Sequence, residues 1–115
     1  MDPARPLDGY VVVDLSTGIA GAYCTKLLAD GGAEVIKVEP PQGDPMRSWS
    51  ASSAGAESDA GAEVDRRAGG ALFSFLAGGK RSVVAGPDDR DFVDELLSGA
   101  DAVIWSRGSQ LAESL

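Results

Sequence analysis

Short apolar runs recur along the chain, separated by stretches in which apolar residues return at helical spacing. Tyr10 to Leu15 (YVVVDL) is β-branched and nearly continuous, the pattern of a strand buried on both faces of a parallel sheet. Ser16 and Thr17 stand where a helix cap belongs, and small residues follow: Gly18, Ala20, Gly21 and Ala22. Tyr23/Cys24 and Leu27/Leu28 then recur at helical spacing and predict one buried helix face. Gly31-Gly32 supplies the stop, where a left-handed residue is wanted. Ala33 to Val38 (AEVIKV) reads as a second strand, closed by Pro40-Pro41. A strand, helix and strand within about thirty residues form a βαβ unit with a right-handed crossover.

Beyond Pro40 the periodicity dissolves. SASSAGAESDAGAEVDRRAGG carries a single large aliphatic residue, Val64. It cannot bury enough apolar surface to offset the entropy of ordering, so residues from about 50 to 69 are expected to form a flexible loop. Order returns with a short helix over Ala71 to Leu76 and a third strand over Arg81 to Ala85. Pro87 and Asp88-Asp89 open another helix, with acids favourably placed against its N-terminal dipole. Its predicted buried stripe is Phe92, Val93, Leu96 and Leu97, with Gly99 as C-cap, and Ala102 to Trp105 is a fourth strand. The order β-α-β-α-β-α-β predicts one α/β domain over residues 1–115. It is a Rossmann-like open parallel sheet of about four strands with flanking helices.

Composition narrows the chemistry. The 115 residues hold ten Lys plus Arg against eighteen Asp plus Glu, a net charge of −8. That balance argues against binding a nucleic-acid backbone, which needs clustered cations. There is no His and no Asn, which excludes a His-based triad or imidazole metal site. The lone Cys24 excludes an intrachain disulfide framework and a multi-cysteine zinc site, so no metal is expected. No apolar run approaches the roughly 20 residues of a membrane span, and the N-terminus lacks the apolar stretch of a secretory signal. The expectation is a soluble, cytoplasmic protein.

Candidate site residues cluster at the predicted strand ends, where open α/β sheets bind ligands. The first turn, S-T-G-I-A-G, leads into a helix N-terminus able to hold an anion. It is not G-x-G-x-x-G, although Glu39 sits about twenty residues on, where dinucleotide enzymes keep a ribose-binding carboxylate. Lys37, Arg47, Lys80, Arg81 and Arg107 flank strand ends and adjoining loops. They read either as solvated cations or as a phosphate clamp. Asp14, inside a buried strand, requires a backbone N–H or hydroxyl partner. Cys24 reads as an inert packing residue, and Trp105 at a strand end as core, with stacking on a ligand as the alternative for it and for Trp49.

The stretch PLDGYVVVDLSTGIAGAYCTKLLADGGAEVIKVEPPQGDPMR, Pro6 to Arg47, resembles the opening of the class III CoA-transferases. That group includes formyl-CoA transferase, carnitine CoA-transferase and α-methylacyl-CoA racemase. GKRSV (Gly79 to Val83) and GADAVI (Gly99 to Ile104) are similar to the family as well. The resemblance implies a Rossmann-like N-terminal part of a longer enzyme, paired in an interlocked homodimer, that moves coenzyme A between an acyl-CoA and a small carboxylic acid. The family's nucleophile is an aspartate lying well beyond position 115 of a typical member, and no Asp here matches its motif, so no catalytic residue is assigned.

The same resemblance assigns CoA-binding positions. Ile19 and Ala20 match the helix start that lies against CoA, Lys37 the basic residue near the end of the second strand, and Lys80 and Arg81 the K-R of G-K-R-S. Two motifs depart from the family. Ala77-Gly78 stands where many members have N-R, and Trp105 to Gln110 replaces E-N-F-R-P-G, so that Arg107 substitutes for the family arginine only after a one-residue shift. Two alternatives stay open: a non-catalytic Rossmann-like binding or assembly module, and an acyl-CoA racemase of the same family.

Overall fold

A computed structural model of the chain describes residues 3–48 and 70–109. The loop expected over about 50–69, and Trp49 with it, lie outside the described residues. Four strands, β1 (Val11–Asp14), β2 (Glu34–Glu39), β3 (Arg81–Val84) and β4 (Ala102–Ile104), form one sheet in the order β3-β2-β1-β4. All three pairings are parallel. Among the described residues, three helices connect them: α1 (Ile19–Asp30), α2 (Ala71–Ala77) and α3 (Arg90–Ser98). A 3₁₀ turn, Pro45–Ser48, follows β2, and another, Pro87–Asp89, leads into α3. This is the predicted α/β architecture.

The apolar runs of β1 and β2 serve two layers at once, because successive side chains leave a strand on opposite faces. Val13, Leu15 and Val38 join Ala85 and the α3 residue Val93 in one buried cluster, backed by Leu96 and Leu97. Val12, Ala33 and Val35 pack on the other side with Leu28 and Ala29 of α1. A third cluster, Ala22, Met46, Phe73 and Leu76, joins α1, the Pro45–Ser48 turn and α2.

Helix α1 is rotated from the expected orientation. Tyr23, Cys24 and Leu27 are exposed, while Ala22 and Thr25 are its buried residues. The cause lies in β1. The Asp14 carboxylate is completely buried, and Thr25 Oγ1 donates to its Oδ2 at 2.6 Å. Burying one large apolar side chain is worth about 1.5–3 kcal/mol, whereas an ionised carboxylate in the interior without partners costs far more. The Thr25 hydrogen bond joins those from Ser16 in satisfying this carboxylate, and it is made with the Ala22/Thr25 face turned inward.

Ser16 and Thr17 do not cap α1. The cap position is Gly18, at φ 97°, with no side-chain hydrogen bond to the helix, and Ser16 Oγ donates to Asp14 Oδ1 at 2.5 Å. At the other end Gly31 keeps a right-handed φ of −77°, and Gly32, at φ 107°, takes the left-handed conformation. On α3 Val93 is buried and Leu96 and Leu97 partly so, but Phe92 is exposed. Trp105 is also exposed, against the expectation of a core residue.

Candidate functional site

β1 leads to β2 on one side of the sheet, and β4 lies on its other side, so the chain direction across the sheet switches between β1 and β4. Open α/β sheets bind ligands just outside the strand carboxyl ends at such a point. Here the two turns are stitched together. Ser106 Oγ accepts from Thr17 N–H at 2.9 Å and lies 3.1 Å from the Thr17 carbonyl, to which it donates. Ser109 Oγ donates to the Leu15 carbonyl at 2.6 Å. The turns bend through Gly18 and Gly108, at φ 97° and 84°, a region open to glycine at little cost. Between them and the segment after β2 lies a cleft of about 180 Å³, walled by Leu15, Thr17, Val38, Pro40, Pro45 and Gly108. A whole drug-sized ligand occupies roughly 300–1,000 Å³, so this cleft suits one portion of a larger molecule.

A network of buried charges lies on the α1 side of the sheet. Asp14 and Lys37 are register partners in the β1–β2 ladder. Asp14 accepts from Ser16 N–H, Ser16 Oγ and Thr25 Oγ1, and Lys80 Nζ lies 3.7 Å from its Oδ2. Lys80 also donates to the Ala22 carbonyl at 2.9 Å. Burial is the main cause holding the Lys80 pKa below its ordinary value, with Asp14 opposing and Lys37 adding to the effect. Lys37 Nζ lies 2.6 Å from Asp44 Oδ2 and donates to the Ser16 carbonyl at 3.1 Å. Each buried charge thus has an opposite charge and hydrogen bonds, which its burial demands.

Glu39 closes the same segment. Arg47 donates to both its oxygens, Nε to Oε1 at 2.7 Å and Nη2 to Oε2 at 2.9 Å. Asp44 N–H and Ser82 Oγ donate to it as well. These bonds, led by that from Arg47, outweigh burial and lower the Glu39 pKa to about 2. Arg47 also lies over the Phe73 ring, 4.3 Å from its centre. The position of a ribose-binding carboxylate is therefore occupied by a structural ion pair.

The structure separates the predicted site residues into two sets. Ile19 and Ala20 are exposed at the start of α1, and Arg107 is exposed in the turn after β4, so these three share the carboxyl-end face. Lys37 and Lys80 have side chains only 4% and 2% exposed, and both ammonium groups are enclosed by internal oxygens. Arg81 opens β3 and points away from the cleft, its Nη1 lying 3.1 Å from Oε1 of Glu34 at the amino end of β2. Sequence reasoning missed Asp44, Ser106 and Ser109. The G-D-P spelling was visible, but nothing local showed that Asp44 would face Lys37 or that two serines would bind the first turn. Among the described residues, no group of three or more His, Cys, Asp or Glu is placed to hold a metal ion, and no helix is long and apolar enough to cross a membrane.

These features define a Rossmann-like α/β unit with a cleft at the switch point, beside the uncapped start of α1. Its sequence matches CoA-transferase family III over residues 7–115, and the chain belongs to that family. It is 41% identical over 101 residues to the succinyl-CoA:mesaconate CoA-transferase of Haloarcula hispanica, covering 85% of this chain and 24% of that protein. It is 38% identical over 103 residues to the succinate–glutarate CoA-transferase of Agrobacterium fabrum, covering 86% and 24%. Among solved structures it resembles a CAIB/BAIF family protein from Brucella suis, with a TM-score of 0.69 and 33% identity over 89% of this chain and 26% of that one. The chain thus spans about a quarter of the length of these relatives.

Proposed function

We propose that the chain is the CoA-binding N-terminal portion of a class III CoA-transferase, the enzyme class that moves CoA between an acyl-CoA and a small carboxylic acid. The observation that carries this reading is the start of α1. Its first turn has no side-chain cap and no acidic residue, and it opens beside the cleft at the switch point. The first N–H groups of a helix lack intrahelical partners and favour an anion. In this reading the CoA phosphates lie against Ile19 and Ala20, with Arg107 reaching them from the stitched turn after β4. The activities of these relatives, both CoA transfers, support the substrate class.

Lys37, Lys80 and Arg81 enter this reading differently from the exposed three. The two lysines act through interior bonds to the Ser16 and Ala22 carbonyls, and Arg81 extends from the far end of β3. The carboxylate nucleophile of such an enzyme forms an anhydride with the acyl group, and none of the residues on this face is assigned that role. The whole enzyme is read as a cytoplasmic homodimer. Calorimetric titration with CoA tests the proposal, with Arg107→Ala expected to weaken binding roughly 10- to 100-fold, the loss of about 1.5–3 kcal/mol for a charge-assisted hydrogen bond. Absence of CoA binding by the wild-type chain, or an Arg107→Ala variant that binds unchanged, would overturn it.

A further inference from the structure

Lys37 joins two walls that the sequence keeps apart. One of its acceptors, the Ser16 carbonyl, belongs to the turn between β1 and α1. The other, Asp44 Oδ2, belongs to the segment between β2 and the Pro45–Ser48 turn. The first wall gives the cleft Thr17, and the second gives it Pro40 and Pro45. Both walls are fixed by bonds that converge on this lysine. Ser16 N–H is held by Asp14, the register partner of Lys37. Asp44 Oδ1 accepts from Met46 N–H at 2.8 Å, and Asp44 N–H donates to Glu39 at 2.9 Å. The ammonium and the carboxylate it meets are only 4% and 2% exposed, so neither is free to turn toward a bound anion without breaking an interior ion pair.

We infer that Lys37 is a positioning residue of the ligand site: its ammonium sets the separation of the two walls and does not touch the ligand. What the cleft holds rests on the CoA reading, whereas the bracing follows from the protein's own contacts. Removing the ammonium frees the Ser16 carbonyl and leaves Asp44 buried without its counter-charge. Such a carboxylate draws in water or swings outward, and the Pro45–Ser48 turn moves with it.

The test compares wild type, Lys37→Met and Lys37→Met/Asp44→Asn by amide hydrogen exchange and by CoA titration at several salt concentrations. In Lys37→Met, exchange at Ser16, Thr17, Asp44, Met46 and Arg47 is expected to quicken together by roughly tenfold or more, with α3 unchanged, because local opening is read amide by amide. CoA affinity falls by a similar factor with its salt dependence intact, and the double variant recovers part of both losses because no uncompensated carboxylate remains. Unchanged exchange in both turns overturns the brace. So does a weaker salt dependence with no recovery in the double variant, the signature of a lost phosphate contact. If wild type shows no CoA binding, the CoA reading fails and the exchange results still decide the brace. If Lys37→Met does not fold, Asp44→Asn, which removes the counter-charge of the brace, is read instead: faster exchange in both turns supports the brace, and unchanged exchange overturns it.

Discussion

Arg47 grips Glu39 with two parallel hydrogen bonds, at 2.7 and 2.9 Å, across the segment that gives the cleft Pro40 and Pro45. The fork geometry suits a guanidinium and not an ammonium. It ties the Pro45–Ser48 turn to the end of β2, and Ser82 adds β3 to the same carboxylate.

This pair makes stability sensitive to acid. The Glu39 pKa falls from 4.5 to about 2 on folding, so the unfolded chain takes up a proton first as the pH drops. The stabilisation is fully present above 4.5 and is lost as the pH falls through the folded value near 2. With about 1.36 kcal/mol per unit, the group contributes on the order of 3 kcal/mol. Denaturant titrations between pH 6 and 2.5 should show the fall, and Glu39→Gln should lower stability at pH 6 by a comparable amount while flattening that slope.

Gly21→Ala should destabilise the fold although alanine is the better helix former. A Cβ at Gly21 would fall on Oγ and Cβ of Ser16, which is itself hydrogen-bonded to Asp14. Helix propensity offers about 1 kcal/mol, and displacing a buried serine from a carboxylate costs more. A lower thermal midpoint is expected, and a higher one would show that Ser16 moves aside easily.

Lys80 gives the opposite pH sign. Its folded pKa lies below the ordinary 10.5, chiefly through burial, so the unfolded chain holds the proton more tightly. Stability therefore rises as the pH climbs from the folded value toward 10.5. Lys80→Met should remove that alkaline rise from the stability profile, which chemical denaturation of both proteins over the same pH series will measure.

Cys24 is exposed on α1, so a thiol-directed reagent should label it in the native chain without denaturant. Labelling that requires unfolding would show that the helix face is covered.

The strands were legible because β-branched runs such as Tyr10–Leu15 and Ala33–Val38 have few other uses. Asp14 was legible in kind: its isolation in an apolar strand required hydroxyl and N–H partners, which Ser16 and Thr25 provide. The rotation of α1 was not legible, because the pattern Tyr23, Cys24, Leu27, Leu28 carries no sign that a threonine hydroxyl would outrank it. The two lysines were placed at the right elements, but their burial was not legible. Their partners lie 7 residues away for Lys37 and 66 for Lys80, and only folding reveals that pairing.

The side-by-side placement of Asp14 and Lys37 also acts as an alignment key. If β2 slipped by one residue along β1, Asp14 would face Ile36 or Val38 in place of Lys37, and apolar side chains would change layers at the same time. A shifted pairing also carries the Lys37 ammonium, held by Asp44, away from the Ser16 carbonyl that it bonds beside Asp14. Beside the valines that fill the middle of β1 and β2, this charged rung marks one alignment of the two strands.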